Sequence, residues 1–404
     1  MNKMLPILKY YYLSDLITQV GLSLTLIGLN WFVLEATGSS LDVGILMILG
    51  ILSGIAGSLI SGIIADSFNR KFILINMNSI QAFLALIVLI IIIFTKQFQI
   101  NHIYILATLN GFISNIYMPT SRALFKEIAP KNNISKYYSI LEISMQLSMC
   151  FAAVIAGAIY KKWGVAGILT TNIITLLVSN LLYLKIPSNY SLIELTSSEG
   201  FMQKFSQGIR YLSKNHIILV FGIIMCMPQS VTVSMSVVLP NYVINYLYSD
   251  SMTFGFLNMY CSIGGVFAGL IIAKFNIKSQ NPRFIVKLFA GSITALLILA
   301  FNQTIWLAYI TIMFFGIVQT SIKISLNSFI MQSVTNEYIG RVLSVIAVVS
   351  TILQTITIYF IGWAIDIYPK NSGYIYLAII MIIPFLIFTY SFAKDSTILE
   401  TRKK

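Results

Sequence analysis

The chain has 404 residues, 57% of them hydrophobic and only 10% charged, where soluble domains carry roughly 25% charge; its mean hydropathy is +0.86. A soluble enzyme is excluded, and at about 20 apolar residues per bilayer crossing the composition predicts an all-α, polytopic membrane protein. The net charge of +13 lies on no basic, aromatic-interleaved soluble segment, so it points to membrane topology and not to nucleic acid.

Apolar runs bounded by polar punctuation predict twelve spans, near 11–34, 43–64, 73–94, 102–118, 138–160 and 166–184, then near 217–247, 253–273, 284–301, 305–326, 342–363 and 374–392. The halves are residues 1–184 and 216–404, joined by a linker over 185–215. The N-terminal stretch lacks a small-residue cleavage site and runs straight into the first span, so no cleaved signal peptide is expected. Of the 26 Lys and Arg, 22 fall on one side and only Lys96, Lys161, Lys162 and Lys370 on the other. That bias predicts cytoplasmic termini and a cytoplasmic linker.

Span 1 carries Asp15, with Gln19, Ser23 and Asn30 continuing a polar stripe. A carboxylate within a span is costly and usually faces a cavity, which suits proton coupling or substrate contact; an interfacial Asp capping the helix start is the other reading. Span 2 carries Gly50, Gly54, Ser58 and Gly62 at four-residue spacing, a predicted close-packing seam. Arg122 ends span 4, either as a positive-inside anchor or as a substrate contact. In span 5, Ser139, Glu142 and Gln146 share a face. Glu142 either exchanges protons in the cavity or pairs with Lys136 or Arg122.

Within the linker, Phe201, Phe205, Ile209 and Leu212 recur at helical spacing beside Lys204, Arg210 and Lys214. This is either an amphipathic helix on the anionic inner leaflet or a solvated connection. Span 7 holds Met225, Met227, Pro228, Gln229, Pro240 and Tyr242. Its prolines predict a broken or kinked helix, and Gln229 is a candidate cavity residue beside a Met and Tyr wall. Span 10 aligns Gly316, Gln319, Lys323 and Asn327. Lys323 either snorkels to the interface or faces the cavity, where with Gln319 it favours an anionic or zwitterionic substrate. Cys150, Cys226 and Cys261 have no CxxC spacing, so neither a metal site nor a disulfide framework is expected.

The halves echo each other. Gly62, Phe68, Asn69 and Lys71 recur 207 residues later as Gly269, Phe275, Asn276 and Lys278, and Gly111, Ile134, Lys136 and Ser139 recur at an offset of 205 as Gly316, Ile339, Arg341 and Ser344. Two pseudo-symmetric six-helix bundles around a midplane site are the architecture of a secondary transporter.

The loop Gly62-x-x-x-Asp66-x-x-x-Arg70-Lys71 resembles the signature of the major facilitator superfamily, and the resemblance covers nearly the whole chain. Glu35-Ala-Thr-Gly38-Ser39-Ser40, Tyr117-Met-Pro119-Thr-Ser-Arg122 and Gly340-Arg341-Val342 resemble its bacterial efflux branch, which includes macrolide and enterobactin exporters. The resemblance implies the major facilitator fold and a conformational latch at Gly62, Asp66, Arg70 and Lys71. Two departures stand out. Phe151-Ala152-Ala153-Val154 replaces the antiporter glycine-proline pair in span 5, and Asp15 stands where the branch often has an arginine.

These features predict a non-enzyme without cofactor or metal: a monomeric, proton-motive-force-driven exporter in a bacterial cell membrane that moves a small amphiphilic molecule. A carboxylate-bearing siderophore or metallophore is favoured by Lys323 and Arg122; multidrug or macrolide efflux, lysolipid flipping and uptake are the alternatives. The abundance of Lys over Arg, 20 against 6, suits an AT-rich bacterial genome. A membrane-embedded transferase is the rival class, but His102 and His216 lie far apart with no acid–base pattern around them. No GxxxxGK[ST] loop is present, and the unequal charges of the halves offer no channel filter ring.

Overall fold

The computed structural model describes residues 4–95, 99–129, 134–187, 201–274, 282–334, 338–368 and 371–401. They form α1 (Met4–Thr37), α2 (Ser40–Ser67), α3 (Arg70–Thr95), α4 (Ile100–Ile128), α5 (Ile134–Leu184), α6 (Phe201–Lys214), α7 (His216–Asn245), α8 (Ser251–Lys274), α9 (Pro282–Phe301), α10 (Ile305–Ser333), α11 (Ile339–Ile367) and α12 (Ser372–Thr401). The fold is the all-helical one expected, and ten helical stretches among the described residues are long and apolar enough to cross a membrane.

The expected spans 5 and 6 lie in α5, where Gly164 adopts φ 59°. The contacts of α1 show that the chain reverses there. Going up α1, Ser148 donates to the Leu16 carbonyl and Trp31 meets Tyr160, so the partner numbers rise. Beyond Gly164 they fall: Ser179 lies against Ser14, Thr175 against Gly21 and Ile168 against Gly28. Glycine supplies the left-handed backbone such a reversal needs.

The join of α1 to α2 is built from the Glu35–Ser40 stretch. Gly38 closes α1 at φ 70°, its N–H donating to the Leu34 carbonyl, and the Ser39 hydroxyl accepts from the Asp42 N–H to start α2.

The chain divides into two compact units, Met1–Ser198 with Ser249–Met259, and Glu199–Tyr248 with Tyr260–Lys404. In the first, α2 and α4 approach almost backbone to backbone. A Cβ on Gly57 would strike the Phe112 carbonyl, one on Gly54 the Asn115 amide, and one on Gly111 the Gly50 carbonyl. The seam runs through 50, 54 and 57 and turns away from Ser58, which is exposed; a helix of 3.6 residues per turn drifts off a strict four-residue repeat. The second unit repeats the device: Gly264 abuts the Met313 carbonyl and Gly316 the Cys261 carbonyl, joining α8 to α10. Gly111 and Gly316 are an echoed pair, so this part of the internal repeat marks equivalent helix crossings. The echo at 275–278 lies outside the described residues.

In the second unit α7 runs as one helix through Pro228 and Pro240, so of the expected break or kink the break is absent. The Thr232 hydroxyl donates to the Pro228 carbonyl and the Ser230 hydroxyl to that of Cys226, the back-bonds that Ser and Thr make within a helix. Tyr242 is core and not cavity wall: it is buried, packs on Tyr374, and donates to the Asn302 carbonyl at 2.7 Å. The linker helix α6 docks on α11, with Gly208 against the Arg341 carbonyl, Tyr211 stacked on Tyr338 and Leu212 in the cluster of Ile218, Val342 and Val345. Of the expected apolar face, Leu212 is covered by protein and Ile209 is exposed, as are Arg210 and Lys214, while the side chains of Phe201, Lys204 and Phe205 lie outside the described residues.

Candidate functional site

Asp15 is the centre of the first unit's polar interior. Helix α1 begins at Met4, so Asp15 lies about three turns in at 3.6 residues per turn, and it is only 3% exposed. The reading of an interfacial cap at the helix start is overturned by this depth and burial.

Its Oδ1 accepts from the Ser121 hydroxyl at 2.9 Å and the Tyr117 hydroxyl at 3.2 Å, both on α4. The Tyr117 and Tyr183 hydroxyls are 2.7 Å apart, and the Tyr11 hydroxyl lies 2.8 Å from Ser121 Oγ and donates to the Ser121 carbonyl at 2.9 Å. A single carboxylate is therefore enclosed by hydroxyls from α1, α4 and α5, and Arg122 and Gln19 act on it as well. The aromatic bodies of Tyr11, Tyr117, Tyr183 and Phe125 seal the cluster. Chemically, this is a carboxyl kept from bulk water but joined to a chain of exchangeable protons.

The rest of the stripe is less uniform. Gln19 donates to Met118 Sδ at 3.1 Å, and Asn30 is buried with no hydrogen-bond partner for its Oδ1 among the described residues. Thr18, Asn78 and Ser179 bond to one another beside the stripe, with Thr18 and Ser179 hydroxyls 2.7 Å apart. Sequence reasoning missed Tyr11, Tyr117, Ser121 and Tyr183; the hydroxyls at 117 and 121, one turn apart, were the available signal.

Glu142 is in α5, but its side chain lies outside the described residues, as do those of Lys136 and Ser139; Gln146 is half-buried. In the second unit Gln229 is half-buried, and Lys323 is exposed with its carbonyl accepting from Asn327. Gln319 is buried and points its amide at the Ser292 hydroxyl at 3.4 Å, joining α10 to α9. Asp15 and Lys323 belong to different units.

For the signature loop, the side chain of Asp66 and the surroundings of Gly62 are outside the described residues. Arg70 forms an ion pair with Glu127 near the end of α4, a partner that the spacing did not reveal. Lys71 is 7% exposed and donates from Nζ to the carbonyls of Leu184 at 3.1 Å and Ile186 at 2.6 Å. The first turn of α3 thus grips the ends of α4 and α5. No group of three His, Cys, Asp or Glu able to hold a metal occurs among the described residues.

The Major Facilitator Superfamily model matches residues 12–357. The chain belongs to this superfamily. It is 22% identical over 355 residues to an uncharacterized MFS-type transporter of Bacillus subtilis (strain 168), YkuC, covering 84% of this chain and 81% of that protein. It is also 23% identical over 350 residues to a staphyloferrin A transporter of Staphylococcus aureus (strain NCTC 8325 / PS 47), covering 84% of each. Among solved structures, the nucleoside transporter NupG superposes with a TM-score of 0.77 at 13% identity over 97% of this chain and 99% of that one. A bacterial homologue of the iron transporter ferroportin in its inward-facing state gives 0.71 at 15% identity over 96% and 98%. These structural likenesses show the fold.

Proposed function

We propose that this transporter is a proton-driven exporter of a carboxylate-bearing metal chelator of the siderophore class. It works as a monomer in a bacterial cell membrane with both termini in the cytoplasm, and its halves divide at the linker over 185–215. The observation that carries the proposal is the burial of Asp15 among hydroxyls inside a membrane span, a costly placement that marks proton or substrate pathways. Protonation and release of Asp15, with Glu142 as a second carboxylate, bias two conformations by differential affinity. No cofactor is needed, since the proton gradient supplies the energy. Gln19, Asn30, Gln146, Gln229, Gln319, Lys323 and Arg122 are the proposed substrate contacts, and Gly62, Asp66, Arg70 and Lys71 the latch. The likeness to the staphyloferrin A transporter and the exposed cation at Lys323 support an acidic substrate.

The test compares metabolites inside and outside cells with and without the chain, in metal-replete and metal-starved media. Expected is intracellular build-up of a metal chelator on deletion, restored by the intact chain but not by Asp15→Asn. An unchanged profile in both media rejects the chelator. Full restoration by Asp15→Asn removes Asp15 from the proton path.

A further inference from the structure

The two hydroxyls that hold Asp15 stand on either side of a proline. Pro119 lies inside α4, two residues after Tyr117 and two before Ser121. It has no N–H for the carbonyl four residues back and its ring crowds that carbonyl, which weakens the helix at this point. The Thr120 hydroxyl bonds back to the Ile116 carbonyl at 2.7 Å, a contact that favours bending.

The arms on the two sides pack into different surroundings. Upstream, Gly111, Phe112 and Asn115 are seamed to Gly50, Gly57 and Gly54 of α2. Downstream, Leu124, Phe125 and Ile128 sit in the cluster with Leu8 of α1, Leu74 of α3, Leu141 of α5 and Ile186 just beyond α5. A change of bend at Pro119 therefore moves the arm seamed to α2 against the downstream cluster.

We infer that Tyr117 and Ser121 are positioning residues that convert the protonation of Asp15 into a change of bend at Pro119. The inference rests on the reading that Asp15 takes up the coupling proton. With the carboxylate ionised, one oxygen accepts from both sides of the proline and pins the bend. Hydrogen bonds to a charged acceptor are roughly twice as strong as neutral ones, so protonation weakens both staples together. The titratable and charged groups facing Asp15 are Tyr11 on its own helix, Tyr117 and Arg122 on α4, and Tyr183 on α5. A phenol gives up its proton far less readily than a carboxyl does through the working range. Asp15 is thus the group of this cluster able to titrate there.

The test places spin labels at Ile105 on α4 and Ile174 on α5, both more than half exposed, in the full chain with its three cysteines replaced. An arm of about 14 residues spans about 21 Å, so a change of bend of about 20° moves its tip by about 7 Å. Expected is a distance distribution that shifts by several ångström between about pH 3 and about pH 8.5, on either side of usual carboxylate values. Asp15→Asn should hold the low-pH distribution at every pH, Pro119→Ala should abolish the shift, and Tyr117→Phe with Ser121→Ala should reduce it while the chain stays folded. A wild-type distribution that does not move, or a shift that survives in Asp15→Asn, overturns the inference. The export assay separates this from the parent reading. Loss of export in Asp15→Asn with no pH-dependent distance in the wild type keeps Asp15 as the proton site and rejects the hinge. A titrating distance with export intact in Asp15→Asn keeps the hinge and rejects the coupling role.

Discussion

The ammonium of Lys71 lies 2.6 Å from the carbonyl of Ile186, so the first turn of α3 closes the C-terminal end of α5 more than a hundred residues away. Helix ends leave carbonyls without intrahelical partners, and a buried lysine with two such acceptors supplies what water cannot reach. Lys71→Met should lower stability by about 1–3 kcal/mol, the cost of stranding buried acceptors. Thermal unfolding in detergent reads the effect, and an unchanged midpoint shows that the carbonyls find other donors.

Gly111 has no room for a side chain, because a Cβ there meets the Gly50 backbone. Gly111→Val should cost about 1–3 kcal/mol by overpacking and reduce the yield of folded protein. Ser58→Ala, on the exposed face of α2, should fall within about 0.5 kcal/mol of wild type. Equal midpoints for the two variants reject the seam.

Lys161 and Asp250, 2.7 Å apart, join α5 to the residue before α8 within the first unit. Burial works to raise the Asp250 pKa, but hydrogen bonds from Lys161 and from the Thr253 amide and hydroxyl outweigh it, so the carboxyl sits below its ordinary range. A depressed carboxylate adds stability that is complete above its unfolded-state pKa and lost as pH falls through its folded-state value. The stability gap between wild type and Asp250→Asn should therefore be present at neutral pH and vanish well below about pH 4. Because the side chains are 62% and 44% exposed, the gap is small and shrinks further in high salt. A gap that persists in acid rejects the ion pair as its source.

The hydroxyl of Tyr242 secures the turn between α9 and α10 through the Asn302 carbonyl. Tyr242→Phe should cost about 1 kcal/mol and speed hydrogen exchange at Thr304, whose amide is held by the Asn302 side chain. Unchanged exchange there dissociates the tyrosine from the turn.

Hydropathy made the spans legible because a bilayer demands long apolar runs whatever the neighbouring helices are. The glycine spacing in α2 was also readable, though only the contacts show that Gly57 takes the place expected of Ser58. The surroundings of Asp15 were not readable. Tyr117, Ser121 and Tyr183 lie more than a hundred residues away along the chain, and nothing local links them to it. Glu127 was missed for the same reason, since its partner Arg70 is on another helix. Pro228 and Pro240 show the limit of a local rule: it allows a break or a kink, and α7 continues as one helix through both.

The reversal at Gly164 leaves α5 with almost no connecting loop, and the exposed Lys161, Lys162 and Trp163 are its accessible tip. Antibodies need protruding chain, and this turn offers only those few side chains. An epitope inserted there would have to unwind one helix or the other, whereas a membrane-impermeant amine reagent could report from which side of the bilayer the tip is reached.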